Sequence, residues 1–213
     1  MNLFDVLSVD EGTSATRIAG VVVGVVTNTQ DPAGLGRVKV KFPWLSESEE
    51  SSWARVATPM AGKGRGVYFL PEVEDEVLLA FEHGDARFPY VLGALWNGQD
   101  KPPESNENGE NNIRSIKSRS GHVIRLNDTD GEEKIEIIDK SGKNTIVIDT
   151  AKNAITLTSE KDITLSASKG TIKLDAQKIE IKSSAETKIE ASAGMDVKAT
   201  GTMKVKGAMV NIN

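Results

Sequence analysis

With 213 residues, 38% of them hydrophobic, the chain has material for one ordinary domain and a second of similar length, and nothing in its composition requires disorder. It contains no cysteine, which excludes a disulfide framework, thiol nucleophiles and Cys-ligated zinc, and fits assembly in a reducing compartment. Residues 1–100 carry 8 basic and 14 acidic side chains and the remainder 18 and 17, so the front is net −6 and the rear net +1; neither half offers a phosphate-neutralising surface, and no nucleic-acid partner is expected.

The N-terminal segment, 1–17, carries Asp5, Asp10 and Glu11 where a secretory leader would place basic residues before an apolar run, so the protein is expected to be made and first kept in the cytoplasm. The apolar stretches at 18–26 and 77–81 fall well short of the roughly 18 residues that a spanning helix needs. Through 18–98, short β-branched runs alternate with turn residues, which predicts five strands at 20–26, 36–42, 53–57, 76–81 and 90–95. Asp31-Pro-Ala-Gly34 is a tight turn between the first two strands, and Ala61-Gly-Lys-Gly-Arg-Gly66 is a flexible connection. Five strands in so short a span, with no convincing helix, predict a small closed or nearly closed barrel of the OB type.

Near residue 100 the composition changes. All ten aromatic residues lie at or before Trp96 and all seven prolines at or before Pro103, so the two halves are built differently. The polar stretch 99–113, rich in Asn, Gly and Pro, reads as a linker. Beyond it, apolar and polar residues alternate with the period of a strand buried on one face: Ile124/Leu126, Ile135/Ile137, Ile146/Ile148, Ile155/Leu157 and onward to Met203/Val205. In a neck region, 114–154, turns at Gly131, Gly142 and Asn153 recur every eleven residues. From 155 to 213 the step shortens to eight, with Leu157, Leu165, Ile181, Ile189, Val197 and Val205 on one grid and a shift around Lys173 that Gly170-Thr171 can absorb.

An eight-residue unit is too short for a helical repeat and too short for one chain to fold back on itself as a sandwich. Each unit offers two or three small inward side chains, too little burial to offset roughly 1–2 kcal/mol of backbone entropy per ordered residue. The segment therefore needs partners. Three copies wound into a triangular prism would supply them, with Leu157, Leu165, Ile181, Ile189, Val197 and Val205 as the predicted trimer core and charges such as Lys173, Asp175, Lys188 and Glu190 outside. The fold class expected is all-β: an N-terminal OB-fold barrel followed by a C-terminal intertwined trimeric, triple-stranded β-helix. At about 4.8 Å per strand the needle would be roughly 35–40 Å long.

Motifs that could carry chemistry have plainer readings. Gly62-Lys-Gly-Arg-Gly66 lacks the spacing and the Lys-Ser/Thr ending of a phosphate-binding loop. Asp128-Thr-Asp-Gly131 lacks the later ligands of a calcium loop and reads as a turn. Glu72, Glu74, Asp75 and Glu76 read as a solvated strand entry rather than a glycosidase pair, and His83 and His122 stand far apart without a triad setting. No catalytic residue, metal ligand or cofactor is expected, and the protein is read as a non-enzyme.

Several blocks together resemble a known family. Gly24-Val-Val-Thr-Asn28, Asp31-Pro32, Leu35-Gly-Arg-Val-Lys-Val40, Trp53-Ala-Arg-Val56, Pro71-Glu-Val-Glu-Asp-Glu-Val77, Gly84-Asp-Ala-Arg-Phe-Pro-Tyr-Val-Leu-Gly-Ala-Leu-Trp-Asn97 and Ser118-Arg-Ser-Gly-His-Val-Ile-Arg-Leu-Asn-Asp128, followed by the octads, resemble the central spikes of contractile injection machines: phage baseplate assembly protein V and the VgrG spikes. The resemblance implies a homotrimer on the tail axis, docked through its barrel on a separate hub subunit at the tube end. Its needle would make transient contact with the target envelope on sheath contraction. The particle would be assembled in the cytoplasm, with the spike extracellular or in the target envelope after firing. Because no histidine stands near the end, a PAAR-type tip protein is implied, pairing with Met209, Val210, Asn211, Ile212 and Asn213. The competing reading is an OB-fold carbohydrate-binding adaptor or adhesin on a β-solenoid stalk; an envelope-degrading enzyme lacks candidate residues.

Overall fold

The computed structural model describes residues 18–45 and 49–211; the N-terminal segment 1–17 and two residues of the expected tip contact, Ile212 and Asn213, lie outside them. The chain divides after Glu160 into two units.

The first unit begins with strands β1 (Val22–Asn28), β2 (Lys39–Lys41) and β3 (Arg55–Val56), a short hairpin of β4 (Ala61–Gly62) and β5 (Arg65–Gly66), and strands β6 (Glu76–Phe81) and β7 (Pro89–Ala94). Five of them form one sheet in the order β2-β1-β6-β7-β3, antiparallel except where β3 runs parallel to β7. Next to the two edge strands, Val38 and Ala54 exchange backbone hydrogen bonds of 3.0 and 2.7 Å, which tie the edges to each other and curl the sheet. All five strands expected from the sequence are present, with ends displaced by a few residues. The alternation works as read: along β6, Val77, Leu79 and Phe81 enter the core while Glu76, Leu78 and Ala80 stay half-buried. Val26, Val38, Val40, Ala54 and Val91 complete the interior with Phe42 at its rim. Gly24 is required where β2 and β6 close on β1, since a Cβ there would lie 2.9 Å from Leu79 Cδ1 and 3.0 Å from the Lys41 carbonyl oxygen.

Two connections are more ordered than the sequence predicts. The carboxylate of Asp31 accepts backbone N–H bonds from Ala33 (3.0 Å), Leu35 (3.0 Å) and Arg37 (3.3 Å) and is clasped by the Arg37 guanidinium at 2.9 and 2.7 Å. One side chain therefore organises the whole β1–β2 connection. The segment at 61–66, expected to be flexible, is the β4–β5 hairpin, in which Ala61 pairs with Gly66 and Gly62 with Arg65. Its glycines make it possible: Gly64 has φ 66°, and a Cβ on Gly66 would sit 2.7 Å from the Met60 carbonyl oxygen.

The same unit continues into a five-stranded antiparallel meander, β8 (Ile113–Lys117), β9 (Val123–Asn127), β10 (Lys134–Ile138), β11 (Thr145–Asp149) and β12 (Ala154–Thr158), each strand pairing only with its sequence neighbours. Its turns follow the eleven-residue step, because Gly131, Gly142 and Asn153 adopt φ of 75°, 73° and 51°. Asp139 builds the middle turn by accepting from Ser141 Oγ at 2.8 Å and from Asn144 N and Nδ2 at 3.2 and 3.0 Å. His122 belongs to another turn, where its Nδ1 accepts the Lys140 N–H at 3.2 Å, and His83 lies in a short 3-10 turn with φ 52°.

The second unit is extended backbone without a ladder of its own among the described residues. It bends at 160–161, 168–170, 177, 184–185, 192–193, 200–201 and 208–209. Counting from the first residue of each bend, the spacings are 8, 9, 7, 8, 8 and 8. The later apolar residue of each pair, Leu165, Leu174, Ile181, Ile189, Val197 and Val205, follows with spacings of 9, 7, 8, 8 and 8. Backbone corners and side-chain pattern slip at the same place, where the Gly170 N–H bonds the Ala167 carbonyl at 3.2 Å.

Candidate functional site: an unpartnered apolar face and the extended tail

In the meander the register places apolar residues opposite one another across every pair of strands: Ile116 with Ile124, Leu126 with Ile135, Ile124 with Ile137, Ile135 with Ile148, Ile137 with Ile146, Ile148 with Ile155 and Ile146 with Leu157. This stripe is uncovered, with exposures running from 41% at Ile146 and Ile148 to 76% at Ile155. The reverse face is the polar one, and it is half-buried: Ser115, Arg125, Glu136 and Val147 stand in line across it. Glu104 of the linker reaches Arg125 there, accepting from Nη2 at 2.9 Å and Nε at 3.2 Å, with Glu136 at 3.8 Å from the same guanidinium. The chain's own cover thus goes to the polar face. An aliphatic sheet face of this extent facing water is what interaction surfaces show, since complete burial of each Leu or Ile side chain would contribute about 1.5–3 kcal/mol.

The tail repeats the arrangement with no reverse cover. Ile163, Ile172, Ile179, Met195 and Met203, the earlier residue of each pair, are 49–52% exposed, and the later one, from Leu165 through Ile181 to Val205, is 66–73% exposed. The later position, which includes every tail residue of the predicted trimer core, is therefore the one with least contact inside a single chain. None of Leu157, Leu165, Ile181, Ile189, Val197 and Val205 belongs to a buried cluster, and Met209, Val210 and Asn211 are exposed. On the opposite side of the tail strands, Lys173 pairs with Asp175 at 3.0 Å, Lys178 with Glu180 at 2.5 Å and Lys188 with Glu190 at 2.7 Å. Residues two apart meet only on one side of an extended strand, so the charges lie opposite the aliphatic residues.

On the barrel, a groove carries Arg37 and Lys39 over Trp53, Arg55 over Tyr90 and Arg87 over Phe88, each cation 5.5–5.9 Å from the ring centre. Three of these cations are already neutralised, Arg37 by Asp31, Lys39 by Glu50 at 3.0 Å and Arg87 by Asp85 at 2.6 Å. The acidic cluster is likewise engaged: Glu72 with Arg119 of the β8–β9 turn, Glu74 with Lys41 at 3.9 Å, and Asp75 with the Glu72 N–H at 2.7 Å. Among the described residues no group of three or more His, Asp or Glu is placed to hold a metal ion, and no helix is long and apolar enough to cross a membrane. Ile116 and the Arg125–Glu104 contact were not read from the sequence: Ile113 and Ile116 are spaced by three, which hides strand β8 until β9 pairs with it.

Residues 22–96 match the type VI secretion system/phage-baseplate injector OB domain. The chain is 34% identical over 135 residues to the type VI secretion system spike protein VgrG5 of Pseudomonas aeruginosa, covering 56% of this chain and 17% of that protein. It is 31% identical over 123 residues to VgrG1a of the same organism, covering 53% and 19%, and 40% identical over 72 residues to VgrG3 of Vibrio cholerae, covering 32% and 7%. The matched part thus spans less than a fifth of the length of each of these relatives.

Proposed function

We propose that this chain, whose residues 22–96 match the injector OB domain and which is similar to VgrG spike proteins, is the non-enzymatic central spike of a contractile injection machine, working as a homotrimer. Three tails wind about one axis into a triple-stranded β-helix, and Leu157, Leu165, Ile181, Ile189, Val197 and Val205 from each fill its interior. The barrel docks on a separate hub subunit at the tube end. A PAAR-type tip protein pairs with the last strands at 209–213, and the needle crosses the target envelope when the sheath contracts. The carrying observation is the tail itself: a backbone that turns a corner about every eight residues, with its aliphatic side chains outside any intrachain interior. Such a segment reaches a favourable free energy only by burying that surface against copies with the same period.

The measurement that tests this is the mass of the intact protein in solution by light scattering. Three times 22.9 kDa is expected, with resistance to heat and detergent; a monomer at micromolar concentration overturns the reading. The glycan-binding adaptor is not favoured, because the proteins the chain is similar to are spike proteins and its barrel matches an injector OB domain.

A further inference from the structure

The charge balance of the tail changes toward residues 204–206. Lys173, Lys178 and Lys188 are each followed two residues later by an acid with which they pair. At Lys204 the residue two further on is Lys206. Two lysines at that spacing share one side of an extended strand about 7 Å apart, and neither has an ion-pair partner among the described residues. Asp196 is the last acidic side chain in the sequence, with Lys198, Lys204 and Lys206 after it, whereas residues 161–190 hold six lysines against five acids. The uncompensated charge also adjoins exposed apolar side chains: Met209 is 80% exposed and Val210 is exposed beside it.

In the trimer proposed above, on which this inference rests, threefold symmetry turns the pair into a ring of six like charges around a narrow rod. Such a ring is self-repelling, and a multivalent anion relieves it. We propose that Lys204 and Lys206 form a cationic collar that engages the phosphate headgroups of an anionic lipid surface as the needle tip arrives. The residue type favours lipid over an acidic protein. Planar, bidentate recognition of carboxylates is the property of arginine, and the last arginine of the chain is Arg125; every cation beyond it is a lysine, a hydrated point charge suited to a diffuse layer of phosphates. Four to eight basic residues in one cluster, each contributing about 1 kcal/mol near an anionic bilayer, make a typical lipid-binding patch, and six fall in that range.

The experiment uses the full chain, its mass measured first, and sedimentation with vesicles of neutral phosphatidylcholine or of phosphatidylcholine carrying about 30% phosphatidylglycerol. The trimer should bind the anionic vesicles and not the neutral ones, and lose that binding in about 0.5 M salt. The Lys204→Glu/Lys206→Glu protein should keep its trimer mass and bind at least about a hundredfold more weakly, with Lys204→Gln/Lys206→Gln intermediate. A trimer that binds both vesicles equally, or whose double variants bind like the parent, overturns the collar and leaves the spike standing, as does capture by soluble polyglutamate but not by vesicles. A monomer that binds anionic vesicles through these lysines overturns the trimer and leaves the lipid contact standing.

Discussion

The barrel and the tail are built from the same Val, Leu and Ile, and they differ in where the second surface comes from. In the barrel, strands far apart in sequence return to one another, β1 against β6 and Val38 against Ala54, so Leu79 and Val26 are buried by their own chain. In the tail no segment returns, and Ile181 stays 73% exposed. The meander lies between these cases: it has its ladder hydrogen bonds, yet keeps one aliphatic face open. Hydrophobic residues in a strand period therefore specify only that a face will be covered; chain topology decides whether the cover is internal.

The sharpest way to break this contrast is Ile189→Asp. In the trimer it places three carboxylates in one layer of a narrow aliphatic axis, and truncation of a buried Ile alone costs about 2–5 kcal/mol per copy before any charge is buried. We expect the trimer mass to give way to 22.9 kDa by light scattering. Tryptophan fluorescence should stay native, because Trp44, Trp53 and Trp96 all belong to the front half and report nothing of the tail. The converse change is Leu79→Ala, expected to cost the barrel about 2–5 kcal/mol in a denaturant titration followed by that fluorescence. If the barrel folds by itself, its midpoint should not depend on protein concentration, whereas unwinding of the tail should.

Gly24→Ala tests the closeness of the barrel's strands on a smaller scale. The new methyl meets Leu79 Cδ1 at 2.9 Å, where a rotamer change can give way, and the Lys41 carbonyl at 3.0 Å, where only a backbone shift can. A cost of about 1–3 kcal/mol is expected, read by the same titration. A neutral result would mean that β2 is free to move off β1.

What could be read in advance follows the same division. The five barrel strands were legible because Val77, Leu79 and Phe81 alternate cleanly with Glu76 and Ala80. The octads were legible because small polar or glycine-containing corners recur with them, down to the slip beside Gly170. The β4–β5 hairpin was not, since Gly-Lys-Gly-Arg-Gly has no apolar period and its ladder is set by glycine conformations. Nor was the linker's role: Glu104 sits 21 residues from Arg125, and nothing local links a carboxylate in a polar stretch to a strand it covers. Asp31 was legible as a turn residue, but its hold on Arg37 depends on a guanidinium folding back across six residues.

That hold makes the smallest of the expected effects, and it bears on the barrel alone. The Arg37 guanidinium, aided by the backbone N–H groups of Ala33, Leu35 and Arg37, keeps the Asp31 carboxyl far below the ordinary carboxylate range against the opposing effect of its burial. A carboxyl that is more acidic when folded than when unfolded stabilises the fold above its unfolded value, about 4, and that contribution disappears as pH falls toward the folded value. Barrel stability should therefore decline from about pH 4 downward, and in Asp31→Asn the decline should be shallower, from a lower starting stability at neutral pH. Asp139, held low chiefly by Ser141, adds a loss in the same direction, but in the meander and in both proteins alike. Fluorescence melts of the parent and the Asp31→Asn protein across this range isolate the barrel's share. Identical acid slopes would show that the Asp31–Arg37 clasp contributes nothing to the fold beyond shaping its turn.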